Sequence, residues 1–134
     1  MAITNYDRVA KALATVNGGL TPFVEREMQS AFGGKWFATA KDRLGSGLHL
    51  GGTEQAPEWD TASLLRVLWE CWNEVFSKIL GRAERSLVNE LGDVRNKWAH
   101  QKTFSTDDAY RALDTMSRLL NAVAAAREVD EIER

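Results

Sequence analysis

Arg95, Asn96 and His100 bring a guanidinium, a carboxamide and an imidazole within two turns of one amphipathic segment, RNKWAH. Leu87, Leu91, Val94 and Trp98 recur at intervals of four, three and four, which predicts a helix with one apolar face. The three polar residues lie off that face. Asn96 and His100 are four apart and stack on the same side, and Arg95 is long enough to reach around to them. A phosphate is the ligand this set suits. The guanidinium is a planar fork for phosphate oxygens. The imidazole titrates near neutrality and can take or give a proton. The amide can hold an oxygen or orient the imidazole. Lys97 and Lys102 add positive charge nearby and are the candidate cations for a nucleic-acid backbone.

The elements that must position this set are helices. At 134 residues, 44% hydrophobic and 27% charged, the chain predicts one globular domain with a real core. Thr4 or Asn5 caps a first helix with Tyr6, Val9, Ala10 and Leu13 on its apolar face, stopped by Asn17-Gly18-Gly19 at about residue 16. Thr21-Pro22 opens a second, to about Phe32. A third runs from Lys35 to about Leu44. Gly45, Gly47, Gly51, Gly52 and Pro57 make 45–58 a loop, the segment expected to be mobile or variable. Asp60 caps what reads as the longest helix, about 61–80. Its apolar residues leave only the stripe Arg66, Glu70, Glu74 and Lys78, able to pair in series. The helix of the polar set follows from about Ala83. Ser105 caps the last, whose seam is Ala109, Leu113, Met116, Leu120 and Val123. No strand or hairpin signal appears. The expected class is all-α, an antiparallel bundle of four or five main helices with a Gly-rich loop at 45–58. Residues 1–127 form the domain, and 128–134 an acidic helix tail or the start of a linker.

Charge limits the partners. The formal net charge is -2, and Glu128, Asp130, Glu131, Glu133 and Arg134 contribute -3 of it, leaving the body near neutrality at +1. RNA contact must therefore come from a local patch. The single cysteine, Cys71, excludes an intrachain disulfide and fits a reducing compartment, and Asp7 and Arg8 interrupt the N-terminus before any apolar run, so a cytoplasmic protein is expected. No stretch is apolar enough to span a membrane. Cys71, His49 and His100 share no metal-ligand spacing, so no metal or other cofactor is expected. His49 reads as a solvated loop residue. Trp36, Trp69, Trp72 and Trp98 sit at helical spacing and read as core, and Trp59 as a staple or a surface residue.

An Arg-x4-His pair alone is a weak signal, but a longer run carries a resemblance. RNKWAH resembles the R-[N/D/H]-x3-H signature of the HEPN superfamily. The stretch from Trp72 through Leu120, with FVEREM near the N-terminus, resembles its Swt-type branch, over about residues 5–125. The resemblance implies an antiparallel helical bundle and a homodimer that brings two motifs together. It also implies a metal-independent endoribonuclease of a defence, toxin or RNA-processing system, with Arg95 and His100 at the signature positions, Asn96 at the polar one, and a larger enzymatic domain fused or acting alongside. Other superfamily members bind RNA or nucleotide, or dimerise, without catalysis, and a purely structural adaptor is the third alternative. Gly92 departs from the pattern: in mid-helix it costs about 1 kcal/mol relative to Ala, and it implies either a close approach at a dimer interface or a kink.

Overall fold

The computed structural model describes residues 3–133; Arg134, counted above with the acidic tail, lies outside them. The main helices are α1 (Asn5–Phe32), α2 (Trp36–Leu44), α3 (Thr61–Glu70), α4 (Arg82–Ala99) and α5 (Thr106–Ala122), and a short α6 (Ala126–Glu133) follows. The architecture is the all-α bundle expected. The caps are those the sequence marks: the Thr4, Asp60 and Ser105 side chains accept the amides of Asp7, Ser63 and Asp108.

The first two expected helices are one. α1 runs for 28 residues through Gly18, Gly19 and Pro22. Val9, Leu13, Val16, Leu20, Phe23 and Val24 are all buried, at helical intervals, so the apolar seam crosses the expected break without interruption. Burial of that seam outweighs the local cost of two glycines and a proline. Pro22 deprives the Gly18 carbonyl of its donor, but Gly18 is exposed and water can take that place. The Thr21 hydroxyl donates to the Asn17 carbonyl at 2.7 Å. Gly19 has a packing reason to be glycine: a Cβ there would lie 2.5 Å from Leu120 Cδ2 and 3.1 Å from Glu128 Cγ. α1, α5 and α6 meet over that bare backbone.

The expected 61–80 helix is broken. α3 ends at Glu70, and the chain turns through residues 71–75 into a 3-10 turn at Phe76–Lys78. A straight helix buries one stripe, whereas Leu64, Leu65, Val67, Leu68, Cys71, Trp72, Val75, Phe76 and Leu80 are all buried. Unwinding after Glu70 turns the later ones inward. It also breaks the expected charge series. Arg66 still meets Glu70 at 3.5 Å, but Glu74 is held by the Arg43 fork instead, one arm at 2.9 Å.

The Gly-rich loop is more structured than its composition suggests. Gly51–Gly52 pairs antiparallel with Pro57–Glu58 around a tight turn closed by mutual Thr53–Ala56 bonds. Leu50 is buried, and the Ser63 hydroxyl donates to the His49 carbonyl at 2.8 Å, tying the loop to α3. The His49 side chain is exposed. Along the expected seam α5 buries Ala109, Met116 and Leu120, half-buries Leu113, and is followed by the buried cap residue Val123. α6 then turns back, placing Val129 and Ile132 against the core.

The two adjacent glycines of α1 are expected to respond oppositely to alanine. A methyl group at Gly18 would have nothing within 4 Å of it, so Gly18→Ala stabilises by up to about 1 kcal/mol. At Gly19 overpacking of about 1–3 kcal/mol exceeds that gain, and Gly19→Ala destabilises. Urea unfolding of both variants checks this; equal stabilisation would contradict the close α1–α5–α6 contact.

Candidate nucleic-acid interface

α4 carries the polar set and is fixed at both ends. At its start, Glu84 accepts the Gly81 amide at 2.7 Å. The Arg85 guanidinium lies over the rings of Trp69 (4.2 Å) and Trp72 (5.7 Å) at the end of α3. The two helices are therefore antiparallel. In mid-helix, Glu90 accepts the Thr115 hydroxyl at 2.7 Å and pairs with Arg111, both on α5. Those hydrogen bonds, Thr115 first, hold its carboxyl below the usual range.

The other end of α4 is closed by a Schellman turn. His100 is the cap residue. The Gln101 amide donates to the Trp98 carbonyl at 3.0 Å and the Lys102 amide to the Lys97 carbonyl at 3.1 Å. Gln101 has φ of 57°, the left-handed conformation that glycine usually fills and that costs another residue about 1–2 kcal/mol. Three contacts hold it in place. The Tyr6 hydroxyl donates to the Trp98 carbonyl at 3.0 Å, with the two rings stacked at 6.2 Å. The Asn5 amide donates to the carbonyl of buried Phe104 at 3.1 Å. Lys97 pairs with Asp108 at 3.0 Å and lies 4.8 Å from the Phe104 ring.

The predicted site residues thus divide. Arg95 is half-buried, and Asn96, His100 and Lys102 are exposed or nearly so. Among the described residues no side-chain hydrogen bond or ion pair engages any of the four. Arg95 and Asn96 line a groove of about 370 Å³ between α3 and α4, together with Ala62, Leu65, Trp69, Asn89, Gly92 and Asp93. His100 lies outside that lining, at the helix end beyond it. Lys97 is the one expected cation already committed within the chain, to Asp108 and Phe104.

Trp69 departs from the core role expected of it. It is 38% exposed, whereas Trp36 and Trp72 are buried and Trp98 is half-buried. Trp59 is half-buried, its indole N–H donating to Glu25 at 2.9 Å. At Gly92 a Cβ would meet nothing within 4 Å, so no neighbour within the chain demands a glycine there. Cys71 is buried, and burial pushes its thiol pKa up, as expected of an inert core cysteine. Among the described residues no helix is long and apolar enough to cross a membrane.

Fold and site together define an all-α bundle with a cation, an amide and an imidazole at the C-terminal end of one helix. The model of the family described as Swt1-like HEPN matches residues 11–124, and the chain belongs to that family. Comparison with curated proteins and with solved structures gives no match.

Acid is expected to loosen the clip beside the motif. The hydrogen bond from Lys97, then those from Ser105, hold the Asp108 carboxyl below its ordinary value of 3.8. The folded state therefore binds that proton less readily than the unfolded chain. The clip's contribution is fully present above about pH 4 and fades as pH falls through the folded value. NMR of the Lys97 ammonium and Phe104 ring should report this in the wild type, and Asp108→Asn should abolish the dependence.

Proposed function

We propose that this HEPN domain is an endoribonuclease that cleaves RNA through the ribose 2′-hydroxyl without a metal, as a homodimer and as the N-terminal module of a defence, toxin or RNA-processing protein. The observation that carries the reading is at the end of α4. Arg95, Asn96 and His100 stand uncommitted there, beside a turn that holds a glutamine in the left-handed conformation. HEPN domains commonly dimerise and bind RNA.

The chemistry assigns each residue a role. An imidazole takes the 2′-hydroxyl proton, and the oxygen attacks phosphorus. The bond from phosphorus to the 5′ oxygen breaks, and an acid protonates that oxygen. The products are a 2′,3′-cyclic phosphate and a free 5′-hydroxyl. Arg95 balances the charge that builds on the phosphorane, and Asn96 holds an oxygen or orients the imidazole. One chain supplies one His100, so a two-fold dimer supplies the base and the acid. Lys102, and Lys97 where its pairing with Asp108 yields, extend the positive track for the backbone. No cofactor enters this scheme.

A second reading, a HEPN module that binds RNA or nucleotide, or dimerises a larger protein, without catalysis, is favoured by one observation. The groove that holds Arg95 and Asn96 does not include His100, so within one chain grip and proton transfer are separated.

The purified protein should cleave single-stranded RNA in EDTA, leave cyclic phosphate ends and spare DNA, which lacks the nucleophile. His100→Ala should lose at least about a hundredfold in rate while melting as the wild type does, because the side chain is exposed. Undiminished cleavage by His100→Ala would contradict the assignment. Binding without turnover, weakened by Arg95→Ala, would establish the second reading.

A further inference from the structure

We infer that the α3–α4 groove is a nucleobase site, with the Trp69 indole as its stacking platform and the bare backbone at Gly92 as the floor between platform and phosphate grip. The inference rests on the reading of Arg95 and Asn96 as phosphate-binding residues and extends it to the base that lies next to that phosphate.

Two features of the groove go beyond what contacts within the chain require: a bare backbone at Gly92, and the part of Trp69 left open beside its contact with Arg85. The first is Gly92. A mid-helix glycine is unfavourable, yet no neighbour excludes a side chain there, since a Cβ would meet nothing within 4 Å. Gly19 shows the contrasting case, where α5 and α6 occupy the space. At Gly92 the space is the groove itself. A missing side chain that nothing in the chain fills leaves room for something outside it. The second is Trp69. It sits among the buried residues of α3 but remains 38% exposed and lines the same groove. Arg85 lies 4.2 Å from its ring centroid, which fixes the indole from one side.

Their order along the groove is that of a nucleic-acid strand. Arg85 sets Trp69 beside the start of α4, while Arg95 and Asn96 lie near its end, with Gly92 between. From Asn89 to Asn96 the helix rises about 10 Å, room for a phosphodiester and the neighbouring nucleotide rather than for a phosphate alone. Indole–base stacking is sequence-tolerant. Asn89 and Asp93 stand on the intervening wall and offer an amide and a carboxylate to a base edge. The groove lining is also charge-balanced, Arg66 and Arg95 against Glu70 and Asp93, with Arg66 paired to Glu70. That suits a base better than a second phosphate.

The test uses 2′-O-methyl RNA oligonucleotides, which cannot be cleaved, and matched oligonucleotides with abasic spacers at every position, titrated by fluorescence anisotropy. Trp69→Ala and Gly92→Leu should each weaken binding of the intact oligonucleotide about tenfold or more, with little effect on the abasic one. Arg95→Ala should weaken both. Melting and sedimentation of the unliganded variants serve as controls for folding and assembly. Full affinity in Trp69→Ala and Gly92→Leu, with Arg95→Ala still weakened, overturns the base site and leaves the nuclease reading standing. Conversion of a wild-type dimer to monomers by either groove variant also overturns it, because a second copy then covers the groove. If the wild type binds no oligonucleotide, the phosphate reading fails. Nucleoside 5′-monophosphates then decide the platform: NMR shifts of the Trp69 indole support it, and unmoved resonances overturn it.

Discussion

The Schellman turn from Lys97 to Lys102 is the constraint on which the rest of this structure depends. It fixes where α4 stops and therefore where His100 stands relative to Arg95 and Asn96. Its left-handed position is occupied by Gln101, not glycine, so the turn does not form on local preference alone. Its stability comes from elsewhere in the chain: Tyr6 and Asn5 from the start of α1, Asp108 from the start of α5, and Phe104 buried between them. The end of α4 is thereby made part of the core's periphery rather than a frayed terminus. The Ala124 turn before α6 repeats the device, with φ of 61° and the same pair of amide-to-carbonyl bonds, to Asn121 and Leu120.

These anchors also divide the cations of α4 by task. Arg85 is engaged by the tryptophans of α3, and Lys97 by the loop to α5. Arg95 is left without a partner among the described residues. A half-buried guanidinium held in no ion pair gives up solvation without the compensation of a partner. An anion arriving from solution would supply that compensation.

The class of fold was legible because apolar periodicity is a long-range signal, whereas element boundaries were not, because they depend on contacts made far away in sequence. The spacing from Val9 to Val24 already showed one continuous seam. The Gly18-Gly19 and Pro22 signals were local, and packing against Leu120 and Glu128 overrode them. The excess of apolar residues from Leu64 to Leu80 matches a segment buried on more than one side. It concealed the break after Glu70, since periodicity does not say whether a chain buries two faces by being surrounded or by bending. At the site, residue types and spacing placed Arg95, Asn96 and His100 at a helix end. The partner that occupies Lys97 and the exposure of Trp69 came from tertiary contacts no spacing encodes. Gly92 was the one advance signal of the groove, as a residue at odds with its own helix.

The central physical claim is that a phosphodiester bound at the end of α4 is touched by His100 together with Arg95. The chain's only other imidazole, His49, lies in the loop before α3 and serves as an internal control. The most direct measurement is NMR of both imidazole side chains and the Arg95 guanidinium during titration with a non-cleavable 2′-O-methyl dinucleotide. Concerted, saturable shifts of His100 and Arg95 with His49 unmoved are the expected result. Saturable binding that leaves His100 unmoved would contradict the account.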